Sequence, residues 1–262
     1  MTETIDAMDA LTGHAERRAG RRAFFKAAVG AAAVGAGAFV VSQAAQAQAI
    51  TDTDVLNFAL NLEYLEANYY WFSVYGVPIP ATSITGVGTP VAATGGRAVT
   101  FTDPLIAQMA REIANDELAH VDFLRSALGA AAVAQPQLDV SVSPTSAFSK
   151  AARAAGFIDA TGQFDPYASD LNFLYGAFLF EDVGVTAYKG ASPLLTNKTY
   201  IDAAAGILAA EAYHASMIRT TIDQIGGNPG LRRARSAAIP SWCRRRATAW
   251  TAPPTSTRAS PM

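Results

Sequence analysis

The stretch "REIANDELAHVDFL", residues 111–124, carries Glu117-x-x-His120 inside a run that otherwise has the spacing of an amphipathic helix. Three residues along a helix is about 300°, so the two side chains lie on one side of it and can converge on a common point. A single such pair is common by chance. Its weight depends on whether the rest of the chain supplies partners.

A match lies almost a hundred residues on, where "ILAAEAYHASM" contains Glu211-x-x-His214. Two further long segments each hold a glutamate at mid-length: Glu63 in "NFALNLEYLEANYY" and Glu181 in "YGAFLFEDVGV". The chain has three histidines, His14, His120 and His214, and the last two both fall three residues after a glutamate. The order Glu, Glu-x-x-His, Glu, Glu-x-x-His is the pattern by which a four-helix bundle encloses two metal ions. Four carboxylates and two imidazoles offer oxygen and nitrogen ligands that suit iron first and manganese next, rather than copper(I). Without cations, four buried glutamates would carry a desolvation and repulsion cost. The alternative is that these acids face solvent between helices and the histidines rest against the core. Glu66 and Glu112 lie close enough to serve as outer partners or substitutes, and Asp116 and Asp182 are read as facing solvent or capping the network from outside. Among Tyr64, Tyr70, Tyr175 and Tyr213, packing is the expected role, with Tyr70 the best exception because it lies two turns after Glu63.

The surrounding pattern predicts an all-α domain. Residues 51–74 open with Thr/Asp capping residues and repeat apolar residues at Val55, Phe58, Ala59, Leu62 and Leu65. Residues 102–128 begin with Asp103 as a cap and Pro104 at the first helical position, then run Leu105, Met109, Ile113, Leu118 and Phe123. Residues 165–191 are apolar enough for a helix wedged inside a bundle, and residues 197–227 run until Gly226 and Gly227 end them. A long connection rich in Gly, Thr, Val and Pro, residues 76–101, separates the first two helices and has room for a short hairpin. Residues 143–157 predict one small extra helix. Strand-like runs do not alternate with the helices, which argues against a doubly wound α/β fold.

Both ends differ from this middle. Residues 1–49 hold Arg21-Arg22-x-Phe24-x-Lys26, an apolar small-residue run to Val41, and Ala-Gln-Ala steps ending at Ala47 and Ala49. That layout predicts a twin-arginine-type export signal cleaved after Ala47 or Ala49, no stable membrane span after its removal, and a periplasmic or extracellular protein. Residues 231–262 hold seven Arg and no acid, with no helical or strand period, and are read as a disordered basic tail. A nucleic-acid or anionic-surface arm is the other reading of that tail, but no nucleic-acid partner is expected. Between the ends, residues 50–230 carry eighteen acidic against eight basic side chains, a net of −10. Such a domain repels nucleic acid and attracts cations. The single cysteine, Cys243, excludes an intrachain disulfide framework and a Cys-rich metal site.

With these motifs in place, the chain resembles the ferritin-like superfamily, and more narrowly the ferritin-like domain proteins grouped with plant and bacterial desiccation-related proteins. "LNFALNLEYLEANYY" is similar to that group's first helix, and "DELAHVDFLR" and "AAEAYHASMIR" to its second and fourth. The resemblance covers about residues 50–227. It implies a four-helix bundle with di-iron ligands at Glu63, Glu117, His120, Glu181, Glu211 and His214. Members of the superfamily use such sites for ferroxidase, oxygen or peroxide chemistry, which makes ferrous iron, oxygen and peroxide the expected small partners. The narrower group is linked to desiccation and stress tolerance, and a non-catalytic protective scaffold is the alternative. The long connection after the first helix and the export signal both depart from a storage ferritin. They point to a monomer or small oligomer rather than a 24-subunit shell.

Overall fold

The structure, a computed structural model, describes residues 50–154 and 158–225. The expected export signal, Gly226 and Gly227, the basic tail and Cys243 lie outside the described residues. Within them the chain forms five α-helices and no β-sheet: α1 (Asp52–Tyr75), α2 (Pro104–Leu128), the short α3 (Ala147–Ala154), α4 (Asp170–Ala191) and α5 (Lys198–Gln224). α1, α2, α4 and α5 are the four long helices expected, and α3 is the small extra one.

The helix starts follow local chemistry. Thr51 and Asp54 close a capping box at α1, in which each side chain satisfies a backbone N–H of the other residue. Asp103 accepts from Leu105 N–H at the start of α2, where Pro104 has no N–H to satisfy. Ser169 and Asn197 cap α4 and α5 in the same way. Two further acids tie different helices together. Asp52 accepts from the backbone N–H groups of Thr196 and Asn197 at 2.8 Å each, joining the start of α1 to that of α5. Asp170 accepts from Thr102 and Asp103 N–H at 3.0 and 2.8 Å, joining the start of α4 to that of α2.

α1 and α5 therefore begin at one end of the bundle, and α2 and α4 at the other. Asn57 near the start of α1 bonds Ala131 and Val133 just beyond the end of α2, so those two helices run antiparallel. This is the ferritin-like order, in which one long crossover, here between α2 and α4, connects two helix pairs. α1 packs chiefly on α2, and α4 on α5.

The buried faces match the apolar repeats read in the sequence only in part: Val55, Ala59 and Ile113 are buried. In α2 the buried stripe is Ile106, Ala110, Ile113, Glu117, His120 and Leu124, while Leu105 and Phe123 are exposed. In α1 it includes Leu56, Leu60, Glu63, Ala67 and Tyr70, and Phe58 faces out. The reason is common to both helices. Acidic and histidine side chains occupy the inward positions, so counting apolar residues alone selects a neighbouring face.

The short hairpin for which residues 76–101 have room does not form. That connection instead lies along the α2–α4 crossover, through isolated parallel bridges Val87–Val133 and Thr94–Asp139. The backbones approach so closely that a Cβ on Gly86 would overlap Ala132 and Val133, and one on Gly95 would overlap Ser141. Both connections cover the outer face of α1, which explains why α1 is buried on nearly all sides: Tyr64 donates to Val133 O, and Asn68 to Gln135 Oε1. Behind them Tyr69 is fully buried against Phe148 of α3, Tyr167, Phe173 and Phe180, at ring-centre distances of 5.1 to 5.9 Å. Among the described residues, no helix is long and apolar enough to cross a membrane.

Candidate metal centre

All six residues singled out by the Glu and Glu-x-x-His spacing meet at the middle of the bundle. Glu63, Glu117, Glu211 and His214 are fully buried, Glu181 is nearly so, and His120 is 9% exposed. Their polar atoms form two groups, each with every ligand atom within 4.8 Å of the others: Glu63, Glu117, His120 and Glu211, and Glu117, Glu181, Glu211 and His214. The two groups share Glu117 and Glu211. The reading in which these acids face solvent is excluded by their burial.

The distances show how the groups are arranged. His120 Nδ1 lies 3.3 Å from Glu63 Oε2, 3.4 Å from Glu117 Oε2 and 3.6 Å from Glu211 Oε1. His214 Nδ1 lies 3.1 Å from Glu117 Oε1 and 3.4 Å from Glu181 Oε2. Glu117 thus presents one oxygen to each histidine. None of these inward atoms has a hydrogen-bond partner: Glu63 Oε2, both oxygens of Glu117 and Glu211, Glu181 Oε2 and both Nδ1 atoms. Buried polar atoms are otherwise satisfied in more than about nine cases in ten, so eight orphans around one point mark a candidate cation site. Oxygen and imidazole donors at this spacing fit two divalent or trivalent cations, with Glu117 and Glu211 able to span both.

The outward atoms, by contrast, are held. Tyr70 of α1 donates to Glu181 Oε1 at 2.5 Å, and Tyr188 of α4 donates to Glu63 Oε1. Each tyrosine lies seven residues after the glutamate on its own helix and bonds the glutamate of the other. The result fixes one oxygen of each terminal carboxylate and leaves the second free. Tyr70 was the expected exception among the tyrosines, although its partner is not Glu63. Tyr188 was missed, and the same seven-residue spacing after Glu181 was the signal that could have found it. Asp116 Oδ2 lies 3.1 Å from His214 Nε2, which orients the ring from outside, as such partners of metal-binding histidines do. Tyr64 bonds the crossover, Tyr213 is exposed and bonds Glu112 at 3.3 Å, and Asp182 pairs with Arg219, so these lie outside the centre. Glu112 is therefore no substitute ligand.

Electrostatics without cations shows the same strain. Burial, with the Glu117 charge added, pushes Glu63 up to about 8 and Glu181 to about 7. Burial and neighbouring carboxylates hold Glu66 and Glu211 well above the ordinary range. Burial alone would lower both imidazoles, but the carboxylates beside them raise His120 to about 10 and His214 to about 11. Burial also pushes Glu117 upward, yet the two histidines outweigh it and hold it at about 2. Protons thus take the places that cations would fill, and metal binding must expel them.

Gly184 of α4 makes the room. A Cβ there would overlap the Glu211 carboxylate, and backbone on a packed helix cannot move aside cheaply. Gly184→Ala is expected to displace Glu211 and weaken binding of both ions by at least about tenfold, in the range of outer-sphere changes. Isothermal titration with cobalt(II) checks this, and an unchanged isotherm would contradict the placement of Glu211.

No solved structure matches the chain. Among curated proteins, it is 31% identical over 180 residues to desiccation-related protein PCC13-62 of Craterostigma plantagineum, covering 66% of this chain and 53% of that one. It is 27% identical over 170 residues to ferritin-like catalase Nec2 of Nesocodon mauritianus, covering 64% and 52% respectively. The chain spans about half the length of these relatives. The ferritin-like domain family matches residues 51–224, the whole bundle from the α1 cap to the end of α5, and the chain belongs to that family.

Proposed function

We propose that this protein is an exported di-iron carboxylate protein that consumes hydrogen peroxide, with ferrous iron and oxygen as its other small substrates. The observation that carries the proposal is the set of eight buried, unpartnered donor atoms shared between two groups joined by Glu117 and Glu211. Glu63, His120, Glu181 and His214 complete the two positions. Two iron ions held there would supply electrons by cycling between ferrous and ferric states, and manganese could serve in their place.

The residues around the centre do the rest. Tyr70 and Tyr188 anchor the terminal carboxylates, so only one oxygen of each is free to bind. Asp116 fixes the His214 ring, leaving Nδ1 to face inward. Packing by Leu60, Ile113, Phe173 and Ile218, all fully buried, keeps bulk water away. His120 is the most exposed of the six ligand candidates, so a molecule as small as peroxide would enter beside it. The name of the Nesocodon relative, ferritin-like catalase, favours peroxide among the substrates. Residues 21–49 support export by the twin-arginine route, which accepts folded and metal-loaded proteins. A second reading, a protective scaffold without turnover, is favoured by the name of the Craterostigma relative.

The test is oxygen evolution. Protein loaded anaerobically with ferrous iron and then given hydrogen peroxide should release one oxygen molecule for every two peroxides consumed, while ferric absorbance reports oxidation of the metal. Release no faster than in a Glu63→Ala/Glu211→Ala control would remove the enzymatic reading and leave the scaffold.

A further inference from the structure

Among the described residues, Glu66 is the one buried carboxylate near the centre that belongs to neither four-residue group. It lies one turn after Glu63 on α1, is 3% exposed, and its Oε2 has no hydrogen-bond partner. An unpartnered buried carboxylate costs free energy unless a cation satisfies it. Its position indicates which cation. A Cβ built on Gly184 would overlap Glu211 Oε2 and lie 3.4 Å from Glu66 Oε1, so the two carboxylates meet over the space that the missing side chain leaves. Glu211 turns its other oxygen, Oε1, toward His120. Glu66 therefore approaches the centre on the Gly184 side, next to a carboxylate that both groups share.

We infer that Glu66 is a seventh protein ligand, a fifth carboxylate reaching the metal pair across the gap at Gly184. The inference rests on the di-metal reading above. Charge explains why a fifth carboxylate is useful. Four carboxylates neutralise two divalent ions, but two trivalent ions leave them with an excess of about two charges in a medium of low dielectric. A fifth carboxylate halves that excess. Glu66 thus favours the trivalent pair and makes the centre a better reductant than the six-residue set alone. Gly184 serves the same end by leaving space for Glu66 and Glu211 to move as the charge on the pair changes.

The test compares wild type with Glu66→Gln, which keeps the shape and removes the charge, and with Glu66→Asp, which keeps the charge and shortens the reach. Cobalt(II) titration of each metal-free protein should give two ions for wild type. Both variants should bind at least one ion about tenfold or more weakly, and the visible cobalt bands should intensify as a ligand is lost. In the iron-loaded proteins, Glu66→Gln should raise the midpoint potential. Melting of the metal-free Glu66→Gln variant should be no lower than wild type, because the buried Oε2 has no partner to lose. Cobalt affinities, spectra and potential all equal to wild type, or weakened binding accompanied by a lower metal-free melting temperature in Glu66→Gln, would overturn the assignment while leaving the six-residue centre standing. Failure of wild type itself to bind cobalt would remove both.

Discussion

Glu117→Ala should empty both metal positions, whereas Glu181→Ala should empty one. Glu117 is the residue whose two oxygens face different histidines, Oε1 toward His214 and Oε2 toward His120, and both oxygens are otherwise unpartnered. Removing it takes an oxygen and a share of negative charge from each position at once. Glu181 reaches only the His214 side, and without it the group of Glu63, Glu117, His120 and Glu211 keeps all its donors. Loss of an outer partner of a metal ligand costs about 10- to 100-fold in affinity, and loss of a direct ligand costs more. Equilibrium dialysis with cobalt(II), at concentrations that saturate wild type, should therefore retain two ions in wild type, one in Glu181→Ala and none in Glu117→Ala. Equal retention by the two variants would mean that Glu117 does not join the positions.

The second large effect is on stability and its dependence on pH. Glu63 and Glu181 have folded pKa values raised to about 8 and 7 from 4.5, so their contribution is complete below about pH 4.5 and is lost as pH rises through 7 to 8. The raised histidines contribute fully below about pH 6.5 and lose that contribution progressively as pH rises toward 10 to 11. Glu117, depressed to about 2, contributes above its ordinary value and loses that contribution as pH falls toward 2. Metal-free protein should thus be most stable near pH 5, and its melting temperature should fall by on the order of 10 °C by pH 8, given the few degrees per kcal/mol expected for a domain of this size. Metal reverses the trend by replacing protons with cations. Each ion present at a thousand times its Kd adds about 4 kcal/mol, so the loaded protein should melt far higher at pH 8 than the metal-free form. Scanning calorimetry from pH 5 to 8 with and without cobalt(II) measures both slopes. A metal-free protein that grows more stable with rising pH would show that the carboxylates are not trapped as described.

Much of this was legible in the residues because helix ends and ligand spacing are local. Asp103-Pro104 marked the start of α2 and Thr51 that of α1, and both act as caps. Three-residue spacing brought Glu and His to one side of a helix whatever surrounds them. What failed was long-range. The apolar repeat placed Phe58 and Phe123 inward, and both are exposed, because buried acids and histidines break the hydrophobic period that identifies the inner face. The partner of residues 76–101 lay over forty residues away in the crossover, so local turn signals suggested a hairpin instead. The spacing after Glu181 pointed to Tyr188 and the position beside Glu63 to Glu66, but which carboxylate Tyr188 bonds and that Glu66 meets the gap at Gly184 depend on the other helices.

The most direct test of the account is anomalous diffraction at the iron edge from crystals of protein loaded with ferrous iron. Two peaks about 3.5 to 4 Å apart are expected, as in other two-metal sites, flanked by Glu117 and Glu211, with one beside His120 and the other beside His214. No peak among these side chains, or a single peak that leaves either histidine without a metal, would contradict it.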